Sequence, residues 1–311
     1  MTTPLVSILM PAYNHEKYIS QAIESVLAQK TNYPYELLIH DDCSADSTLT
    51  IAQDYATKFP DKIKLFTEKE NQGLMKSYKR LIEQSKGKYL AILESDDYWL
   101  DKNKLQIQID FLENNPDYGI VAGDIITIDD EGNQIKKGGF NSDKASTDFW
   151  YTKLLGLSGF EGACAIIFRR DLFNTYCNIN DYIDLGFKTF DQPTWLSISY
   201  HSKCKVISKI PAAYRHTSTS LSNNTLFEKH IDFILNIIGI EKYIIEKYGL
   251  NGITQDEYNN RISFIIMGKA LKFHKLKLFC EYAKKLKPIS IKQKFMHFFP
   301  HLYYWQFIIR H

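Results

Sequence analysis

Tyr89-Leu90-Ala91-Ile92-Leu93-Glu94-Ser95-Asp96-Asp97-Tyr98-Trp99-Leu100-Asp101 drives an unbroken apolar run, Leu90 to Leu93, straight into three carboxylates, Glu94, Asp96 and Asp97. A short, uninterrupted apolar run is the pattern of a strand buried on both faces of a parallel sheet. Carboxylates crowded at its end raise one another's pKa unless a cation compensates. Oxygen ligands at a strand end suit Mg²⁺ or Mn²⁺, ions held through one or two carboxylates together with substrate phosphates. An isolated Ser-Asp-Asp is more simply an acidic surface loop. Here the strand before it and the motifs upstream favour a metal–diphosphate site.

Outward from this stretch, the first 125 residues alternate strand and helix patterns with short connections. Leu5–Met10 reads as a strand, and Asn14 is placed to cap a helix with apolar pairs at Tyr18/Ile19, Ala22/Ile23 and Val26/Leu27. Tyr35–His40 is a second strand, followed by a helix with Leu49, Ala52, Tyr55, Ala56 and Phe59 on one face. Ile63–Thr67 is a third strand, Leu74–Ser85 a helix ending at Gly87, and Tyr89–Glu94 the fourth strand. The next helix starts near Asp101 and stops at Asn115-Pro116. Alternation of this kind predicts a doubly wound, Rossmann-like, mainly parallel sheet with helices on both faces.

Ligands of such sheets bind beyond the carboxyl ends of the strands. Three strands end in polar clusters: Pro11-Ala12-Tyr13-Asn14, Asp41-Asp42-Cys43-Ser44, and Glu94-Ser95-Asp96-Asp97. The topology gathers all three at one edge. Asp41 and Asp42, with Ser44, Asp46 and Ser47, are consistent with a helix-capping cluster. They are equally consistent with a carboxylate accepting a base N–H or ribose hydroxyl. No Gly-x-x-x-x-Gly-Lys-Ser/Thr and no strand-linked Gly-x-Gly-x-x-Gly occurs, which disfavours a P-loop NTPase or a dinucleotide dehydrogenase.

Beyond residue 118 the pattern is mixed. Ile120–Ala122, Ile125–Ile128 and Ala163–Phe168 read as short strands, and Asp191–Tyr200 as a helix. From Leu226 on, helical patterns dominate, notably Ile231–Tyr248 and Arg261–Leu286. At 311 residues the chain exceeds one ordinary core, so a main domain with an appendage is expected. The net charge of +2 hides an asymmetry: residues 225–311 carry 14 Lys/Arg against 7 Asp/Glu. No window is apolar enough to span a membrane, the N-terminal residues lack signal-peptide character, and the five cysteines form no Cys-x-x-Cys pair. A cytoplasmic protein with reduced thiols is expected.

Val6-Ser7-Ile8-Leu9-Met10-Pro11-Ala12-Tyr13-Asn14, Ile39-His40-Asp41-Asp42-Cys43-Ser44-Ala45-Asp46-Ser47-Thr48, Asn71-Gln72-Gly73 and Leu93-Glu94-Ser95-Asp96-Asp97 resemble, in order and spacing, the family 2 glycosyltransferases of the GT-A fold. The likeness runs over roughly residues 5–222. It implies inverting transfer of a hexosyl or N-acetylhexosaminyl group from a nucleotide diphosphate sugar, with UDP favoured, to a glycan or lipid-linked glycan in surface polysaccharide synthesis. The cofactor implied is Mn²⁺ or Mg²⁺. The resemblance places Pro11, Ala12 and Tyr13 in the nucleotide pocket with Asp41, and gives Asp42 the reading of the base. Asp96 falls by the ribose and metal, and Asp97 is the direct metal ligand. The family's acidic–x–acidic motif is Glu94-Ser95-Asp96 here, with Glu where Asp is more usual.

By the same resemblance, the catalytic base is Asp191, in Phe190-Asp191-Gln192-Pro193-Thr194-Trp195, where the plain alternative is a helix cap. Tyr214-Arg215-His216-Thr217 matches the segment that meets diphosphate or metal, so Arg215 is assigned to the donor and His216 to the metal, although His216 is offset by one position. Glu161 and Trp195 are the acceptor-binding candidates, and Lys76 and Lys79 could reach donor phosphates. The implied organisation is a GT-A catalytic domain over 1–224, divided into a nucleotide-sugar half (1–118) and an acceptor half (119–224), followed by a helical basic region over 225–311. The lysines and terminal aromatics of that region point either to an anionic membrane surface or to packing on the catalytic domain. Nucleic acid is not expected, since no binding motif accompanies the charge. Two other readings compete: a sugar-nucleotide nucleotidyltransferase, which lacks its basic glycine-rich loop here, and a non-catalytic nucleotide-binding scaffold.

Overall fold

The computed structural model describes residues 3–137, 150–156, 162–217, 226–288 and 290–310. These fall into two compact units, one of residues 3–137, 150 and 162–217, the other of 151–156 and 226–310.

The first unit begins with β1 (Val6–Ala12), α1 (Ile19–Leu27), β2 (Tyr35–Asp41), α2 (Thr48–Lys58), β3 (Ile63–Thr67), α3 (Leu74–Gln84) and β4 (Tyr89–Ile92). It continues with β5 (Tyr98–Trp99), α4 (Lys104–Asn114), β6 (Tyr118–Ile128) and β7 (Gln134–Lys137). After α5 (Tyr151–Leu154), which belongs to the second unit, come β8 (Ile166–Arg169), α6 (Arg170–Tyr176), α7 (Ile179–Asp184), α8 (Asp191–His201) and β9 (Lys203–Arg215).

One sheet runs in the order β3-β2-β1-β4-β8-β6-β9-β5, with β7 beside β6. β3, β2, β1 and β4 are mutually parallel, as the alternating pattern requires. β8 then inserts antiparallel to both β4 and β6, and β6 returns parallel to β9. Every residue of β1, β4 and β8 is buried. At about 1.5–3 kcal/mol for each large aliphatic side chain so covered, these central strands anchor the unit.

The entry of β4 is locked by a buried polar knot. Ser7 donates to Glu36 at 2.7 Å and accepts from the backbone of Lys86 and Gly87 at 3.1 and 2.8 Å. A Cβ on Gly87 would lie 2.5 Å from the Ser7 nitrogen, so only glycine passes there.

Several local expectations change. Asn14 does not cap α1. It takes a left-handed φ of 55°, and its side chain accepts from Ala45 at 2.8 Å while α1 starts at Ile19. The two segments foreseen at 120–122 and 125–128 are one strand, β6, whose register against β9 shifts between Gly123 and Ile125.

The second unit contains α5, α9 (Phe227–Tyr248), α10 (Gln255–Lys272), α11 (Leu276–Lys285), α12 (Ile291–Phe298) and α13 (Pro300–Arg310). The continuous helix foreseen over 261–286 breaks at His274, which adopts φ 55° and lets α11 fold back onto α10. Glu241 is fully buried in this unit, accepting from Tyr258 at 2.9 Å and from the Gly156 backbone at 2.9 Å. No helix among the described residues is long and apolar enough to cross a membrane.

Candidate active site

Past Ile92 the chain keeps running beside β1, with the Leu93 N–H on the Leu9 carbonyl and that of Ser95 on the Pro11 carbonyl. It then turns, Asp97 N–H donating to the Glu94 carbonyl at 3.0 Å. The turn stacks Glu94, Asp96 and Asp97 so that one ligand oxygen from each lies within 4.8 Å of the others. Burial first, and then the Asp96 charge, push the Glu94 carboxyl up to about 8, against the hydrogen bond that it accepts from Tyr78 at 3.0 Å. Asp97 is also held well above the usual carboxylate range, by burial and then by Asp96 and Glu94. Three hard oxygen donors, crowded and only partly relieved by protein groups, are a donor set that fits a divalent cation.

The neighbouring strand ends are stapled to one another. His15 N–H donates to Thr48 Oγ1 at 2.8 Å, Glu16 N–H to Asp46 at 3.1 Å, and Ser47 N–H back to Glu16 at 2.9 Å. This brings the segment after β1, with buried Pro11 and Ala12 and exposed Tyr13, against the segment after β2. Asp42 accepts from the backbone of Gln72 and Gly73 at 2.8 and 2.7 Å, so its carboxylate shapes the Asn71–Gly73 turn. Asp41 accepts from Ser44 N–H at 3.1 Å, while its other oxygen is buried without a hydrogen-bond partner.

Asp191 opens α8, where its Oδ1 accepts from the Gln192 N–H at 2.7 Å. Burial pushes its carboxyl up to about 6, the local N–H groups pulling the other way. Tyr78 ties it to the acidic cluster. The phenol is fully buried, its hydroxyl bonds Glu94, and its ring stacks on Phe190 with centroids 4.3 Å apart.

Other expected residues are placed differently. Arg215 was expected at the diphosphate but is 3% exposed and clamps the acidic loop from behind. Its backbone N–H meets Asp97 at 2.7 Å and its Nε the Asp96 carbonyl at 2.9 Å. Its Nη1 reaches the Asp129 and Asp130 carbonyls and its Nη2 the Gln21 amide, each at 3.0 Å, and the guanidinium lies 4.4 Å over the Tyr18 ring. A guanidinium so committed is a positioning group, and the phosphate role is withdrawn. His216 donates its backbone N–H to the Ile128 carbonyl at 2.8 Å and is not among the three residues of the carboxylate group.

Trp195, expected at the acceptor, is fully buried. Its indole is T-shaped on Phe168 at 5.2 Å, and its Nε1 lacks a hydrogen-bond partner. Trp195 is therefore core. Trp195→Ala is expected to cost about 3–5 kcal/mol and Trp195→Phe, which leaves a smaller void, less. Chemical denaturation measures both, and a fully stable Trp195→Ala would place the indole outside the core. Glu161 lies outside the described residues. Lys76 bonds Gln72 at 3.0 Å, and Lys79 bonds Asn180 at 2.8 Å.

Two residues of the site escaped sequence reading. His15 hydrogen-bonds Ser95 at 2.7 Å and comes within 4.0 Å of Asp96; its place in the polar segment after β1 was a usable signal. Tyr78 reads in sequence as the apolar face of α3 and carried none.

The model of glycosyl transferase family 2 matches residues 7–176, and the chain belongs to that family. The β-1,3-glucosyltransferase WfgD of Escherichia coli, named for UDP-Glc and α-D-GlcNAc-diphosphoundecaprenol, is 30% identical over 267 residues, covering 78% of this chain and 96% of WfgD. Several other curated relatives are matched at 34–36% identity over 127–129 residues, and there the chain spans only 37–46% of their length. The structure of S. aureus TarS residues 1–349 with UDP-GlcNAc superposes with a TM-score of 0.59 at 18% identity, over 90% of this chain and 81% of TarS. The mannosyltransferase PcManGT of Pyrobaculum calidifontis, in complex with GDP-Man and Mn²⁺, superposes at 0.52 with 14% identity, over 96% and 88%. At those identities the structures speak to the fold, which is GT-A.

Proposed function

We propose that this chain transfers a sugar, with inversion, from a nucleotide diphosphate sugar to a hydroxyl of a glycan or lipid-linked glycan. The observation that carries the reading is the Glu94–Asp96–Asp97 cluster at the end of β4, tied through Tyr78 and Phe190 to Asp191 at the head of α8. UDP is the favoured nucleotide, because WfgD and TarS are both described with UDP-sugars. Acceptor chemistry like that in WfgD's name, a sugar on a polyprenyl diphosphate, fits assembly of a surface polysaccharide. We assign donor binding to residues 1–118, acceptor binding to 119–224 and a separate role to 225–311.

In this reading Pro11, Ala12 and Tyr13 form the nucleoside wall. Asp42, expected to read the base, spends both oxygens on the Asn71–Gly73 turn, so we move that role to Asp41, whose second buried oxygen is unpartnered. Asp96 serves the ribose and, with Asp97, would hold Mn²⁺ or Mg²⁺. A divalent ion there supplies Lewis-acid stabilisation of the charge that develops on the departing diphosphate. Tyr78 keeps Glu94 and the start of α8 in register, and Arg215 keeps the acidic turn closed. Asp191 accepts the proton of the acceptor hydroxyl as that oxygen bonds the anomeric carbon from the face opposite the breaking bond to diphosphate. The transition state is oxocarbenium-like, by analogy with glycoside hydrolysis.

Thermal stabilisation against a panel of nucleoside diphosphates, with Mn²⁺ or with EDTA, tests the donor site. A rise in Tm with UDP that EDTA removes is the expected outcome. A folded protein indifferent to every nucleotide would sink the proposal.

A further inference from the structure

The second unit leaves a face uncovered. α10 to α13 enclose a core of Met267, Ala270, Phe279, Ala283, Leu286, Met296 and Tyr304. On the other side of α12 and α13, large apolar side chains stand in solvent: Ile291 at 88% exposure, Phe298 at 66%, Phe299 at 53%, Leu302 at 58% and Trp305 at 53%. Ile291 and Phe298 are seven apart on one face of α12, and Leu302 and Trp305 three apart on one face of α13. Exposed Lys294 falls between Ile291 and Phe298 on that face of α12, and exposed Lys292 stands about a quarter-turn round, its Nζ 5.9 Å over the Tyr303 ring. From residue 282 to residue 311 there are six Lys/Arg and no Asp or Glu.

On the inner face Met296 and Tyr304 join the core, so the apolar strip is a separate surface turned away from it. Apolar side chains with long basic ones among them, and no negative charge for thirty residues, match a surface that is apolar below and anionic at the headgroups. A second copy meeting this strip with its own would set lysines against lysines, with no acidic group to offset them. We infer that α12 and α13 dock this protein on an anionic lipid bilayer. Ile291, Phe298, Phe299, Leu302 and Trp305 enter the headgroup–acyl boundary, and Lys292 and Lys294 bind lipid phosphates. This goes beyond the proposed reaction and stands or falls without it.

The test is flotation of the full chain with vesicles of phosphatidylcholine alone and of phosphatidylcholine mixed with phosphatidylglycerol. Tryptophan emission gives a second readout, because Trp99, Trp150 and Trp195 are buried and Trp305 is half exposed. Binding to the mixed vesicles, weakening with salt and accompanied by a blue shift of emission, is expected. Phe298→Ser with Leu302→Ser should lower partitioning at least tenfold, and Lys292→Gln with Lys294→Gln about 25-fold on the mixed vesicles only. These side chains are exposed, so all variants should melt with the parent and keep the nucleotide-dependent rise in Tm. No partitioning of the parent, or equal partitioning of parent and variants, overturns the inference. So does a parent that is dimeric in solution and becomes monomeric on Phe298→Ser.

Discussion

Asp191→Asn is expected to lower kcat by about 10²–10⁴-fold, the usual contribution of a positioned general base. Donor KM should stay nearly unchanged, because no donor contact is assigned to this side chain. The parent's kcat should rise with pH through about 6, where burial places the carboxyl, and fall about tenfold for each pH unit below that. Stability should move the opposite way. The folded carboxyl is raised from 3.8 to about 6, so the folded state holds its proton longer than the unfolded chain. The resulting cost is absent below 3.8, where both states are protonated. It develops between the two values and is complete above 6, at about 2–3 kcal/mol. Asn can still accept from the Gln192 N–H but carries no charge. The variant should therefore melt several degrees above the parent at pH 8 and with it near pH 3.5. A variant that turns over within threefold of the parent would move the base elsewhere, whatever its Tm.

Asp97→Asn should be comparably severe, lowering kcat/KM by about 10³-fold, since metal-assisted stabilisation of a leaving group is worth several kcal/mol. The more specific signature is in binding. The parent, with three crowded carboxylates, should gain about 2.7 kcal/mol from Mn²⁺ at a hundred times its Kd. At a fixed Mn²⁺ concentration the gain should grow with pH, because Asp97, held well above the usual carboxylate range, must lose its proton before it can ligate. The variant removes one of the mutually repelling charges, and Asn Oδ1 can keep the bond from the Arg215 backbone. It should be at least as stable as the parent in EDTA yet gain little from Mn²⁺. Equal gains in the two proteins would strike Asp97 from the ligand set.

Much of this was legible in one dimension. The four parallel strands, the three polar strand ends and their meeting at one edge follow from apolar runs of strand length alternating with helical patterns. Carboxylates packed into four residues after a buried strand are neighbours in space, so the grouping of Glu94, Asp96 and Asp97 was legible without coordinates.

The failures have a common cause. Trp195 and Asp191 share the first turns of α8, and which of them faces the cleft depends on the rotation of a helix buried on nearly every side, which its sequence pattern leaves undefined. Arg215 ends β9 beside an acidic turn, and charge alone does not tell a phosphate ligand from a clamp on backbone carbonyls. The antiparallel insertion of β8 was invisible because a four-residue buried strand has the same composition in either direction.

By itself, then, the sequence determined the parallel half of the sheet, the acidic cluster and the charge asymmetry of the C-terminal region. Each is carried by residues close together along the chain, where periodicity and spacing impose the geometry. Tertiary structure alone decided that Tyr78 joins Glu94 to α8, that Arg215 faces inward, that Trp195 is core, and that an apolar strip remains outside on α12 and α13. Each of these depends on which of several chemically adequate partners is brought within a few ångströms by elements far apart in the chain.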